Sequence, residues 1–201
     1  MQASLFQNQT ENLLPFQGEM YFFPEFFSKV QADQFFTHLC EGLEWRQEPI
    51  WMFGKKVMQP RLTALYGDPE KPYGYSGIQM TPSGWTPELR KILDSIQDFA
   101  QAEFTHVLCN YYRDGNDSMG WHRDNEKVLG VNPTIASVTF GAERVFQTRP
   151  YSGKKPKVDI SLTHGSLLLM SGESQHHWEH QLPKTKRVNQ PRINLTFRKI
   201  L

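Results

Sequence analysis

The residues best suited to chemistry in this chain are His122, Asp124 and His180, followed by the segment Arg192-Ile193-Asn194-Leu195-Thr196-Phe197-Arg198. Two imidazoles and one carboxylate can hold one face of an iron(II) ion and leave the remaining positions open for reaction. His122 and Asp124 are two residues apart, so on an extended segment both can turn toward one ion. The third ligand must arrive from a distant part of the chain. His176, His177 and His180 all lie there, and residue type alone does not choose among them.

Residues 192–198 have the character of an anion clamp. Alternate residues of a strand share a face, so Arg192, Asn194, Thr196 and Arg198 point one way and Ile193, Leu195 and Phe197 the other. Such a strand lines a charged pocket with its back in a core. Arginine suits the clamp because its planar fork grips a carboxylate at two points. Asn110 and Tyr112 alternate in the same way, and an amide and a phenol can donate to the oxygens of a bound acid. These pieces together point to an iron oxygenase with a dicarboxylate co-substrate.

The elements that must position them are short strands. Val107 to Tyr112 is followed by the turn Asp114-Gly115-Asn116-Asp117. Ile135 to Phe140 and Arg144 to Thr148, flanking Gly141-Ala142-Glu143, read as a hairpin. Val158 to Leu162 and Ser166 to Met170 continue the series, and Tyr151 to Pro156 is a basic loop. Several short strands at this spacing argue for a sandwich or barrel. Upstream, Pro24-Glu25-Phe26-Phe27 opens a helical pattern through Phe27, Val30, Phe35, Leu39 and Leu43. A second helix starts at Thr86-Pro87-Glu88, with Leu89, Ile92, Leu93, Ile96 and Ala100 as its buried stripe. The fold expected is α+β, one domain over residues 1–201. Its N-terminal α/β part, to about residue 103, packs on a jelly roll that occupies about 104–201.

Composition sets the outer bounds. No apolar run approaches about 18 residues, which argues against a membrane span, and the start Met1-Gln2-Ala3-Ser4-Leu5 lacks a secretory pattern. The two cysteines, Cys40 and Cys109, make no disulfide framework and read as buried thiols. The location expected is intracellular, either cytoplasmic or at the nucleoid or nucleus, and the chain is expected to act as a monomer. The net charge of +1 conceals an asymmetry: −5 over residues 1–48 and +7 over residues 149–201. A basic C-terminal third is what a polyanion-binding surface would require.

Five stretches carry a resemblance when taken together: Asn110 to Gly115, His122 to Asp124, Ile135 to Val138, His164 to Leu168, and Arg192 to Arg198. The chain resembles the AlkB-like iron(II)/2-oxoglutarate dioxygenases that remove alkyl lesions from nucleic acid, especially the members acting on double-stranded DNA. The likeness runs from about residue 45 to Leu201. It implies a double-stranded β-helix core behind a nucleotide-recognition lid. It also implies iron ligands His122, Asp124 and His180, and 2-oxoglutarate contacts from Asn110, Tyr112, Arg192, Thr196 and Arg198. By the same resemblance Phe53 is a finger that enters the base stack, Lys55 meets phosphate, and Arg61, Tyr73, Tyr75, Asn125 and Glu126 contact the damaged nucleotide. Residue type alone also allows a buried strand from Ile50 to Phe53 with its lysines in solvent. Asn125 departs from the family, which more often has an acidic residue there.

The activity implied is DNA repair by oxidative demethylation of bases such as 1-methyladenine and 3-methylcytosine. Fe(II), 2-oxoglutarate and O2 would be used, and succinate, CO2 and formaldehyde released. The partner implied is duplex DNA with a flipped lesion base, with single-stranded DNA or RNA left open. The alternative is a hydroxylase or demethylase with the same core acting on RNA, protein or a small molecule.

Overall fold

A computed structural model describes residues 11–52, 55–71, 73–75 and 78–201; the side chains of 50–52, 56, 73–75 and 78–80 lie outside that description. The chain runs β1 (Glu19–Phe23), α1 (Lys29–Gly42), β2 (Pro49–Met52), β3 (Lys55–Met58), β4 (Leu62–Gly67), β5 (Tyr73–Tyr75), β6 (Ile78–Met80) and α2 (Pro87–Ala100). It continues through β7 (His106–Tyr112), β8 (Met119–His122), β9 (Ile135–Gly141), β10 (Arg144–Pro150), β11 (Val158–Leu162) and β12 (Ser166–Ser171). The last elements are the single turn α3 (Ser174–His177), β13 (Trp178–Leu182) and β14 (Arg192–Arg198).

Two antiparallel sheets form the body. The larger has six strands in the order β1-β12-β9-β14-β7-β4, and the smaller has four in the order β11-β10-β13-β8. Ile135, Leu168 and Met170 of the larger sheet pack with Phe146, Ile160, Leu162 and Trp178 of the smaller. This is a jelly-roll type of architecture, with two further two-stranded pairs, β2-β3 and β5-β6, beside it. The larger sheet crosses the division expected near residue 103. β1 and β4 precede that point, yet they form the two edges of the sheet, β1 on β12 and β4 on β7.

The other face of the larger sheet is covered by α1 and α2. Their Leu39, Leu89, Ile92, Leu93 and Ile96 pack with Val107, Cys109, Ala136, Val138, Phe140, Ile193, Leu195 and Phe197. Each fully buried aliphatic side chain of this kind contributes about 1.5–3 kcal/mol relative to exposure. α2 begins where its sequence signals say, with the Thr86 hydroxyl accepting from Leu89 N. α1 begins later than the apolar pattern suggests. Ser28 and Gln31 form a reciprocal capping box that sets the first turn at Lys29. Phe26 and Phe27 stay outside the helix and join an aromatic cluster with Phe35 and Phe99, and Val30 is exposed.

The expected hairpin of 135–140 with 144–148 is not formed. β9 lies in the larger sheet and β10 in the smaller, so the turn after β9 carries the chain across the sandwich. Gly141 makes this crossing at φ 86°, and a Cβ there would sit 2.5 Å from the Pro191 carbonyl and 2.7 Å from the Phe36 ring. Among the described residues no helix is long and apolar enough to cross a membrane.

Candidate metal centre and anion pocket

The site lies between the two sheets, in an open cleft that both of them line. Both sheets reach it through strand alternation. In β14, Ile193, Leu195 and Phe197 enter the core under the helices, which turns Arg192, Asn194, Thr196 and Arg198 into the cleft. Arg192 is registered against Tyr112 and Asn194 against Asn110, so the clamp strand and the amide–phenol strand present one continuous polar floor.

The smaller sheet supplies the histidines. His122, at the end of β8, pairs in register with His180 on β13, and their rings lie 4.3 Å apart. One ligand atom from each of His122, Asp124 and His180 falls within 4.8 Å of the others. Of the three histidines left open by residue type, His180 is the one that joins this cluster. His176 is exposed on α3, and His177 lies 3.8 Å from Glu173; neither joins the cluster.

Each of the three is oriented by a neighbour. His122 Nδ1 is 2.8 Å from the Gly120 carbonyl. A carbonyl only accepts, so Nδ1 carries the proton and Nε2 keeps its lone pair for a metal. The Asp124 N–H donates to Gln175 Oε1 at 3.0 Å, which fixes the chain just beyond β8. Asp124 Oδ2 accepts from Arg198 Nη2 at 2.7 Å, while Oδ1 is buried with no hydrogen-bond partner among the described residues. Phe146 stacks on His180 at 5.2 Å.

The electrostatics suit a divalent cation. Burial would raise the Asp124 carboxyl, but Arg198 and the two imidazoles bring it down to about 2. Burial pushes His180 down to about 3, helped by His122, and burial lowers His122 too. The three are therefore in their ligating forms at neutral pH. Two neutral imidazoles and a carboxylate with one uncommitted buried oxygen fit an iron(II) facial triad.

The floor fits an acid. Arg192 is buried and donates to Thr139 Oγ1 at 2.8 Å and Asn194 Oδ1 at 2.7 Å. Its Nε has no hydrogen-bond partner and it has no carboxylate partner among the described residues. Burial lowers it to about 10, the mark of a cation lacking a counter-charge. Tyr112 lies under it at 5.3 Å. Part of the C-terminal positive charge is thus inside the pocket, as Arg192 and Arg198. On the surface, Arg149 and Lys154 both reach Glu179 at 2.7 Å, and Lys184, Lys186 and Arg187 are exposed.

The residues expected to meet substrate are less gathered. Arg61 is buried and donates from Nε to Asn110 Oδ1 at 2.7 Å. Lys55 is exposed on β3, Asn125 is exposed and Glu126 half-buried just past the metal motif. Tyr73 and Tyr75 lie on β5, their side chains outside the described set, and Phe53 lies outside the described residues. Gln175 carries no sequence signal, and Ser137, Phe146 and Arg144 read as strand residues without a part in the site. Ser137 donates to Asn194 Oδ1 at 3.0 Å. Arg144 holds the carbonyls of Asp114, Asp117 and Pro183, closing the turn below Tyr112.

Comparison with known proteins agrees with this geometry. The 2OG-Fe(II) oxygenase superfamily model matches residues 19–198. The chain is 42% identical over 185 residues to the DNA oxidative demethylase ALKBH2 of Mus musculus, covering 87% of this chain and 77% of that one. It is 41% identical over 191 residues to the mouse alpha-ketoglutarate-dependent dioxygenase alkB homolog 3, covering 89% of this chain and 65% of the relative, just under two thirds of its length. The solved structure of OsALKBH1 superposes with a TM-score of 0.64 at 18% identity, over 90% of this chain and 97% of that one, a likeness of fold.

Proposed function

The chain belongs to the 2OG-Fe(II) oxygenase superfamily and is an AlkB-like dioxygenase, and on that premise we propose that it repairs DNA by oxidative demethylation of N-alkylated bases such as 1-methyladenine and 3-methylcytosine. Fe(II), 2-oxoglutarate and O2 are the reagents of the family. The observation that carries the reading is the convergence of His122, Asp124 and His180 in the same cleft as Arg192, a buried cation without a carboxylate partner among the described residues.

When bound, iron supplies the coupling of O2 activation to decarboxylation of 2-oxoglutarate. The protein's part is binding, orientation and exclusion of side reactions. His122 and His180 offer neutral nitrogens, and Asp124 offers Oδ1 while Arg198 holds Oδ2. Arg192 takes the distal carboxylate, with Asn110, Tyr112 and Thr196 as further donors. Phe146 and Leu182 line the cleft as apolar wall. Overall, an N-methyl becomes hydroxymethyl and leaves as formaldehyde, with succinate and CO2 as the other products.

A methyl on the pairing edge is reached only when the base leaves the stack, and a lesion that cannot pair lowers that cost by part of roughly a few kcal/mol. In this reading, the β2-β3 and β5-β6 pairs are a recognition lid. Lys55 meets phosphate, Phe53 fills the gap in the stack, and Tyr73, Tyr75, Asn125 and Glu126 face the nucleotide. The substrate is duplex DNA, handled by a monomer inside the cell.

The test offers methylated duplex, single-stranded DNA and RNA with Fe(II) and 2-oxoglutarate, and follows base mass and formaldehyde. The reading expects demethylation of DNA, fastest in duplex. Succinate formation only with an RNA, protein or small-molecule substrate would replace DNA repair with the alternative.

A further inference from the structure

Asn110 faces the cleft, and its carboxamide has one accepting end and one donating end. Which end meets a ligand depends on what holds the other. Arg61, just before β4, is buried at 3% exposure, and its Nε donates to Asn110 Oδ1 at 2.7 Å. A guanidinium has donors only, so this contact admits only one orientation of the amide. Oδ1 turns to Arg61, and the Nδ2 hydrogens are left for the cleft.

The second asparagine of the floor is polarised in the same sense. Asn194 Oδ1 accepts from Arg192 Nη2 at 2.7 Å and from Ser137 Oγ at 3.0 Å. Its Nδ2 donates to Thr196 Oγ1 at 2.9 Å, which leaves the Thr196 hydroxyl proton for a ligand. In both amides an arginine occupies the oxygen, so the residual hydrogen-bonding capacity of the floor is donor in character. An unanchored Asn110 would have to be fixed in the donating orientation as the carboxylate binds, a cost that the contact with Arg61 removes in advance.

We propose that Arg61 is a positioning residue that sets Asn110 as a donor to the 2-oxoglutarate bound in this cleft. The proposal rests on the functional reading above and assigns Arg61 a task on the co-substrate side of the site.

The experiment is an anaerobic titration of the Fe(II)-loaded protein with 2-oxoglutarate, followed by its visible charge-transfer band, with iron affinity and melting temperature measured alongside. Arg61→Met and Asn110→Ala are each expected to weaken 2-oxoglutarate by about tenfold with iron affinity unchanged. The double variant is expected to be no weaker than Asn110→Ala alone, because the first residue acts through the second. Full additivity, or an unchanged dissociation constant in Arg61→Met, overturns the proposal. Should Arg61→Met not fold, Arg61→Lys and Arg61→Gln decide. Lysine is donor-only and should keep most of the affinity, whereas glutamine can pair with either end of Asn110 and should lose it. Equal effects of the two overturn the proposal. A wild-type protein that binds no 2-oxoglutarate overturns the functional reading and this inference with it; a wild-type protein that binds, with additive variants, overturns only the inference.

Discussion

Arg198 and Asp124 form a buried ion pair, Nη2 to Oδ2 at 2.7 Å, with the two side chains 5% and 1% exposed. The pair joins the last residue of the clamp strand to the carboxylate of the metal motif. Co-substrate floor and metal centre are therefore one mechanical unit. Removing one partner of a buried pair strands the other charge and costs about 3–5 kcal/mol. Arg198→Met should lower the stability of the metal-free protein by that amount in denaturant unfolding, and Asp124→Asn by less, since it leaves a neutral group that still accepts. Equal stabilities of Arg198→Met and wild type would show that the pair is not formed.

The back of the clamp strand is equally exacting. Phe197 is fully buried, stacked parallel to Trp85 at 6.4 Å and against Phe104 at 6.3 Å. Phe197→Ala should cost about 3–5 kcal/mol. It should also weaken 2-oxoglutarate, because Thr196 and Arg198 flank it on the opposite face. Chemical denaturation and co-substrate titration measure the two effects.

Legibility in the sequence followed periodicity. The period of two in Arg192 to Arg198 was enough to separate a polar face from an apolar one, and the structure divides that strand in the same way. The capping residues of α2 gave its first turn. The choice of His180 over His176 and His177 came with the family resemblance, residue type alone leaving it open, and His180 is the one registered against His122 across two strands. The turn at Gly141 misled. A glycine-containing turn between two apolar runs looks alike whether the runs pair or part into separate sheets. Gln175 was opaque in a third way: its hydrogen bond to the Asp124 N–H spans 51 residues of sequence.

A pH dependence follows from His106, outside the metal site. Burial lowers its pKa below the ordinary 6.5, and Nε2 meets the Lys71 carbonyl at 2.8 Å as a neutral donor. The unfolded chain takes up a proton there near 6.5 and the folded chain does not, so this contribution to stability is complete above that pH and lost on acidification. Melting temperatures from pH 8 to 5, on roughly the scale where histidine titrates, should fall less steeply in His106→Gln than in wild type. Parallel curves would contradict it.

Arg144→Met removes the donor to three backbone carbonyls below Tyr112. One or more of these acceptors would be left unsatisfied, at about 1–3 kcal/mol each. The expected outcome is lower stability together with a raised KM for 2-oxoglutarate; a stability loss with KM unchanged would separate Arg144 from the pocket.

The central claim is that three side chains from β8, its following loop and β13 hold iron(II) beside a co-substrate gripped by Arg192. Anaerobic addition of Fe(II) and 2-oxoglutarate tests it most directly. Wild type should develop a weak visible charge-transfer band, which His122→Ala, Asp124→Ala and His180→Ala abolish and His176→Ala retains. A band that survives in any of the first three, or disappears in the fourth, would contradict the assignment.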